Sequence, residues 1–104
     1  MSVIRIKDFL KSDFSGSRKT GEKVRESIEK KLYDLKESGV TLDFVNVSMV
    51  TQSFGDEIIG IMTRMKGVEF IKKNIRLVNH NDDIKDILNY VVRYSKKHFN
   101  EDVA

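Results

Sequence analysis

Three carboxylates in the middle of the chain are of a type that could perform acid–base chemistry. Asp43 follows an apolar segment, and Asp56 and Glu57 are consecutive further along. Carboxylates act as general acid and general base only when they converge on one substrate. A small nucleotide-binding or hydrolytic enzyme using these three groups is therefore one hypothesis. It requires a concave pocket in which they meet Arg18 or His80.

Two hydroxyl side chains, those of Thr51 and Ser53, come just before these carboxylates. As a helix N-cap, Ser53 would accept a hydrogen bond from the amide of Asp56, while Asp56 and Glu57 complement the positive end of the helix dipole. Phosphorylation of Ser53 would instead add about two negative charges at the helix start. Because the neighbouring carboxylates would repel a phosphate, we expect modification to disrupt a partner surface. Both interpretations remain open at this stage.

Other kinds of chemical site are poorly represented. The chain has no cysteine and two histidines, His80 and His98, without the spacing of paired metal ligands, so we predict no metal and no cofactor. Gly16 and Gly21 have the separation of the glycines in a phosphate-binding loop, but Glu22 stands where that loop needs lysine. We interpret this segment as a helix start with Ser17 as its N-cap.

The net charge of +3 and the pI of about 9.2 raise the question of nucleic-acid binding. Most cations are interspersed with acidic residues, which is typical of solvated, ion-paired helix faces. Two basic concentrations remain, and they consist of Lys72, Lys73, Arg76, Arg93, Lys96 and Lys97. Weak nucleic-acid binding is an alternative only if these six share one face, and we expect no aromatic residue among them for base stacking.

The length of 104 residues predicts one domain, 1–104, with a single core. No apolar run approaches the ~20 residues of a membrane-spanning helix. Charges interrupt the apolar residues at the N-terminus, which argues against a secretory signal. The absence of cysteine fits a reducing cytoplasm, where we expect the protein to be. The order of strand and helix patterns predicts an α/β fold: a small, mostly parallel or mixed sheet of about three to four strands with three main helices.

The elements that would position the candidate groups follow from periodicity. A strand pattern begins at Val40 and leads through the hydroxyl-rich turn into a helix ending at Gly67. The inner face of that helix should carry Phe54, Ile58, Ile61 and Met65.

Two further helices flank this unit. The first covers about residues 18–35 and ends with Gly39 as its C-terminal glycine, while Gly21 on its inner face permits close backbone approach. A strand at residues 75–78 is followed by capping residues 80–83 and a last helix. That helix should bury Ile84, Ile87, Leu88, Val91 and Val92. Residues 98–104 are expected to fray.

Several motifs together resemble a known family. They are Leu42-Asp43-Phe44, the run TQSFGDEI at residues 51–58, Ser17-Arg18 with Gly21, and Ile75, Leu77 and Asn79. This pattern resembles the STAS-like family of unknown function and, more distantly, the STAS domains of anti-sigma factor antagonists. The resemblance covers about residues 17–92, and the central motif is its strongest part.

The resemblance implies a non-enzymatic regulatory domain of STAS-like fold that binds a protein partner through the turn at residues 51–57. A histidine-kinase-like ATPase is the implied partner, and phosphorylation of Ser53 or Thr51 the implied switch. The target hydroxyl of the antagonists aligns with Gln52 or Ser53, depending on how the turn is placed. The implied partner-binding residues are Arg18, Thr51, Gln52, Ser53, Phe54, Asp56 and Glu57. This hypothesis predicts that the turn is exposed.

Overall fold

The computed structural model describes residues 2–10, 14–15 and 17–98. Its strands are β1 (Ser2–Arg5), β2 (Phe14–Ser15), β3 (Val40–Asp43), β4 (Met49–Val50) and β5 (Ile75–Val78). Its helices are α1 (Arg18–Glu29), α2 (Gln52–Gly55), α3 (Ile61–Lys66), α4 (Val68–Asn74) and α5 (Asp82–Lys97). A 3₁₀ turn at Ile6–Phe9 follows β1, and π-helical turns at Lys30–Asp34 and Asp56–Gly60 continue α1 and join α2 to α3.

The main sheet has three parallel strands in the order β1-β3-β5. Ser2 pairs with Val40, and Val40 pairs with Ile75 on its other side. The two short strands β2 and β4 form a separate parallel pair. The predicted α/β fold with a small parallel sheet and helices packed on it is therefore confirmed.

The central strand β3 is buried along both of its faces. Val40, Thr41 and Leu42 are all buried, and Phe44 just beyond the strand is fully buried. A continuous buried run, rather than an alternating one, is what a parallel strand covered on both faces requires. Asp43 is the one half-buried member of the strand, and it marks the carboxyl end, where the chain turns toward the candidate site.

Helix α1 begins as predicted, but its end differs. Ser17 is the N-cap, and its side chain accepts from the amide of Thr20 at 3.3 Å. The helical segment ends at Asp34, and Lys36 adopts the left-handed conformation with φ of 53°. The prediction that Gly39 is the C-terminal glycine was wrong. Gly39 is buried beside β1 instead, where its carbonyl accepts from the amide of Ser2 at 3.3 Å.

Helices α2 and α3 and the π-helical turn between them form one continuous helix, residues 52–66, which we call the central helix. It ends at Gly67, where φ is 93°, so the predicted glycine stop is confirmed. Its predicted inner face is correct only at the start. Phe54 and Ile58 are buried, but Met65 is 50% exposed.

The π-helical turn explains this shift of face. A π turn takes more residues than an α turn, so the 3.6-residue pattern no longer holds after Asp56–Gly60. Ile59 and Met62 turn into the core, and Ile61 is only half-buried.

Helix α5 matches the prediction closely. Asn81 is its N-cap and accepts from the amide of Ile84 at 2.8 Å. Three of the five predicted positions are buried, and the other two are partly buried against the core. The fraying predicted for residues 98–104 falls, apart from His98, outside the described residues. None of the described helices combines the length and apolar character needed to cross a membrane.

Candidate functional site

The turn that leads into the central helix is capped by Thr51. The Thr51 hydroxyl accepts from the amide of Phe54 at 3.1 Å, and its backbone is extended, with φ of −87° and ψ of 164°. Ser53 already lies inside α2. The prediction that Ser53 is the N-cap was therefore wrong, because a cap residue must precede the first helical residue. The Ser53 hydroxyl therefore does not serve as the helix N-cap.

The residues of the turn differ in their exposure to solvent. Gln52 is exposed and Ser53 is half-buried, whereas Phe54 is fully buried in the core. Gln52 and Ser53 are thus the accessible residues of α2, while Phe54 anchors the turn from below. Of the exposed turn that the regulator hypothesis predicts, Gln52 is exposed and Ser53 is accessible only in part.

Glu57 lies beneath the turn as a buried carboxylate with two arginine partners. Its side chain is only 6% exposed. Arg18 donates to one of its oxygens at 2.7 Å, and Arg25 donates to the other at 3.2 Å. Both arginines come from α1, on either side of Gly21.

Gly21 permits this arrangement because it has no side chain. A Cβ atom there would lie 2.7 Å from the Cβ of Glu57 and 3.2 Å from the carbonyl oxygen of Phe54. The close backbone approach predicted at Gly21 is therefore present, and it brings the arginines of α1 within reach of the buried carboxylate.

Asp56 is held by arginines from two directions. Arg64 of α3 donates to it at 2.6 Å, and Arg18 donates to it at 3.1 Å. Burial by itself would raise the pKa of Asp56, but the hydrogen bonds from Arg64 and Arg18 outweigh burial, and the pKa is lowered. The same bonds, to Asp56 first and Glu57 second, raise the pKa of Arg18. Asp56 is thus an ionised acceptor, unsuited to act as a general acid near neutral pH.

Arg64 extends this network to the last helix. The guanidinium that holds Asp56 also donates to the hydroxyl of Ser95 at 3.2 Å, and Ser95 is fully buried. Asp56 therefore connects α1 to α3 through its two arginines, and Arg64 extends the connection to α5. We call the two carboxylates with Arg18, Arg25 and Arg64 the ion-pair network.

The third carboxylate of the enzyme hypothesis has different partners. Asp43 accepts from the side-chain amide of Asn79 at 2.9 Å and from the backbone amide of Val45 at 3.0 Å. The hydrogen bond from Asn79, followed by that from Val45, lowers the pKa of Asp43. Its described partners do not overlap with those of Asp56 or Glu57. Asp43 is thus a turn-stabilising group at the end of β3.

The two histidines have different surroundings, and His98 lines the same surface groove as Asp56. His80 packs edge-on against Phe44, with ring centroids 6.5 Å apart, and its Nδ1 atom is buried without a hydrogen-bond partner. His98 lies against Tyr94 with centroids 4.5 Å apart. Among the described residues, no three His, Cys, Asp or Glu side chains are grouped so that they could hold a metal ion.

A surface groove of about 590 Å³ opens beside the turn. Gln52 and Ser53 line it from α2, Arg18 from α1, and Tyr90 and Tyr94 from α5. Asp56 and Arg64 lie at the same groove. We call it the turn groove. It brings together an exposed amide, a half-buried hydroxyl and two exposed phenol rings beside the ion-pair network, in which three arginines face two carboxylates.

Comparison with known families identifies the fold. The family described as a STAS-like domain of unknown function (DUF4325) matches residues 20–85, more than half of the chain. The chain belongs to this family. No curated protein and no solved structure matches it significantly.

The residues of the site lie partly inside and partly outside the region that matches the family. The capping turn, Asp56, Glu57 and Arg64 fall inside residues 20–85. Arg18, Tyr90 and Tyr94 fall outside, so the matched region does not include one wall of the turn groove. That wall is formed by the start of α1 and by α5.

Sequence reasoning missed Arg25, Arg64 and Ser95 as members of the site. Arg25 is 32 residues from Glu57, and Ser95 is 31 residues from Arg64, so the sequence gave no signal of these contacts. Arg64 follows Asp56 by eight residues on the same helix, beyond the i+4 spacing of neighbouring side chains. Tyr90 and Tyr94 were also missed, although a signal was available. They are four residues apart on a well-predicted helix, at positions outside its apolar face, so two exposed aromatic side chains could have been expected there.

Proposed function

We propose that this STAS-like domain is a non-enzymatic regulatory module that binds a protein partner through the turn groove. The observation that carries this proposal is the accessibility of Gln52 and Ser53 beside two exposed tyrosines. Tyrosine side chains are enriched among the residues that contribute most to binding at protein interfaces. The proposed partner is a histidine-kinase-like ATPase, on the strength of the family resemblance.

The state of the carboxylates supports a binding role over an enzymatic one. Glu57 and Asp56 each accept hydrogen bonds from two arginines, and the pKa of Asp56 is lowered. General acid–base catalysis requires a carboxyl pKa near the working pH and an unoccupied position facing the substrate. Asp43, held by Asn79 and Val45, does not join them.

Phosphorylation of Ser53 is the proposed switch. The carboxylates that would repel a phosphate are offset by the arginines of the ion-pair network, so the local charge is less negative than the sequence suggests. Arg18, with its side chain 54% exposed, lines the same groove as Ser53. A phosphoryl group on Ser53 would compete with Asp56 and Glu57 for Arg18. The shape and the charge of the turn groove, to which the partner binds, would therefore change.

Binding to a candidate ATPase, such as one encoded beside this gene, tests the interaction. We expect Gln52→Ala and Tyr90→Ala to weaken binding at least about fivefold, as for exposed groups at the centre of an interface. Glu69→Ala is the matched control for Gln52→Ala, because Glu69 is exposed in the first turn of α4 and lies outside the groove. Equal affinity of all three variants and the wild type would remove the turn groove from the interface.

The switch has a separate test. Incubation with the ATPase and nucleotide, followed by mass spectrometry, should place a phosphate on Ser53 and none on Thr51, whose hydroxyl serves the helix cap. Phosphorylated protein should bind the partner more weakly, and Ser53→Ala should abolish the response. Modification elsewhere, or unchanged affinity after full modification of Ser53, would reject the switch while leaving the interface proposal standing.

A further inference from the structure

The outer face of α5 has a second hollow, of about 680 Å³. The described residues that line it are Tyr90, Arg93, Tyr94, Lys96 and Lys97. These residues lie outside the part of the chain that matches the family, and the expectation that no aromatic residue stands among the basic ones was wrong. We call this surface the α5 patch. It adjoins the turn groove through the two tyrosines, which line both.

The two tyrosine rings of the patch are arranged in parallel. Their centroids are 6.4 Å apart, and the angle between the ring planes is 20°. Tyr90 is 47% exposed and Tyr94 is 51% exposed. The spacing is about twice the ~3.4 Å rise per nucleotide of a stacked strand. His98 lies 4.5 Å from the ring of Tyr94 at an angle of 43°, so it is not part of the parallel pair. We call Tyr90 and Tyr94 the aromatic row, and its two exposed rings have a spacing that suits a planar aromatic ligand.

The cations of the patch differ from those of the ion-pair network. Arg93, Lys96 and Lys97 are all exposed, and within the described part of the chain no carboxylate is paired with them. Asp86, one turn before Tyr90 on the same helix, marks the edge of the basic surface. Three cations around an aromatic row give a surface complementary to an anionic ligand with flat rings.

We propose that the α5 patch binds single-stranded nucleic acid. Bases would stack on Tyr90 and Tyr94, and the phosphates on either side would contact Arg93, Lys96 and Lys97. Base-on-aromatic stacking beside backbone-tracking cations is how sequence-tolerant single-strand binding is achieved. An acidic polypeptide would satisfy the cations but leave the parallel rings without a flat partner. A duplex keeps its bases stacked on one another, where the tyrosines do not reach them.

Fluorescence anisotropy with a labelled oligothymidylate of about 12 nucleotides tests the proposal, since small modules cover ~4–16 nucleotides. Binding should weaken about 20-fold between ~50 and ~200 mM salt if three cations contact phosphates. Tyr90→Leu with Tyr94→Leu, which keeps apolar bulk on the helix, should weaken binding at least about tenfold through lost stacking. Gln52→Ala should leave it unchanged, which separates this site from the proposed protein interface.

A matched pair of charge variants decides whether the patch or the overall charge is responsible. Gln substitution of Arg93, Lys96 and Lys97 should abolish the salt dependence and most of the affinity. Gln substitution of Lys72, Lys73 and Arg76, three exposed cations outside the hollow, removes the same charge and should weaken binding less than about twofold.

Equal losses in the two charge variants would overturn the proposal. So would unchanged affinity of the double-leucine variant, or equal competition by a DNA duplex or by polyglutamate. Absence of binding at the lower salt concentration would overturn it as well. Circular dichroism on each variant should show an intact fold, and the charge variants, confined to exposed positions, remain decisive if the double-leucine variant does not fold.

Discussion

Arg18 donates to Glu57 at 2.7 Å although the two side chains differ greatly in exposure, 54% against 6%. The cation is half in solvent, and the anion is buried between the central helix and α1. A buried carboxylate needs such partners, because leaving it uncompensated is costly. The pair thus couples the surface of the turn groove to the packing of α1 against the central helix.

Replacing Glu57 should reveal this coupling. We expect Glu57→Gln to lower the free energy of unfolding by about 2–3 kcal/mol, less than the ~3–5 kcal/mol of a fully broken buried pair because the amide keeps an acceptor. Urea denaturation measures the change. The control is Glu22→Gln on the exposed face of α1, which should shift stability by less than about 0.5 kcal/mol. Similar effects for both would mean that the network contributes nothing to stability.

Asp56 should make stability depend on pH in the acid range. Its folded-state pKa is lowered from 3.8, since the hydrogen bonds from Arg64 and Arg18 outweigh burial. The unfolded chain therefore binds the proton more readily, and stability rises with pH. This contribution is complete above the unfolded value and is lost as pH falls below 3.8 through the folded pKa.

Thermal melts of the wild type and Asp56→Asn across this range measure the effect. The variant should show a shallower loss of stability on acidification. Asp43, whose pKa is also lowered, is present in both proteins and contributes equally. Parallel curves would show that Asp56 is not stabilised by its arginines.

Two glycines on facing elements should respond differently to alanine. At Gly21 a Cβ would lie 2.7 Å from the Cβ of Glu57, so we expect Gly21→Ala to destabilise by about 1–3 kcal/mol through overpacking. At Gly55 the nearest atoms are side-chain methyls of Leu88 and Val91 at 3.3 Å. Gly55→Ala should change stability by less than about 1 kcal/mol, because helix propensity offsets the tight contact. Chemical denaturation of both variants tests this order, and a reversed order would contradict the described helix approach.

The identity of the helix cap can be measured directly. Thr51→Ala should cost about 1 kcal/mol through the lost hydrogen bond to the amide of Phe54. Ser53→Ala should cost less than about 0.5 kcal/mol, since Ser53 lies within the helix. A larger loss at Ser53 than at Thr51 would restore Ser53 as the cap.

Local signals in the sequence predicted much of the fold. Ser17 was recognised as a helix start, Gly67 as a stop, and residues 80–83, which include Asn81, as capping residues, because each signal acts on backbone groups within a few residues. The same reasoning failed where two candidates competed. Thr51 and Ser53 are both good caps, and Gly39 is a better left-handed residue than Lys36, yet packing selected the other member each time.

The site itself depended on contacts that no local pattern encodes. The partners of Glu57 come from α1, far earlier in the chain, so a residue that looked like a surface carboxylate is buried. The π-helical turn at Asp56–Gly60 likewise has no recognisable sequence pattern. It moved Met65 out of the predicted core and Met62 into it.

The parallel sheet determines how this chain must fold. Ser2 pairs with Val40, and Val40 with Ile75, so no strand pair of the main sheet can form as a local hairpin. Each pairing requires a long loop to close first, and this requirement slows folding. The central strand β3 can be completed only after chain segments from both ends have arrived. Its amides should therefore be among the last to exchange with solvent deuterium.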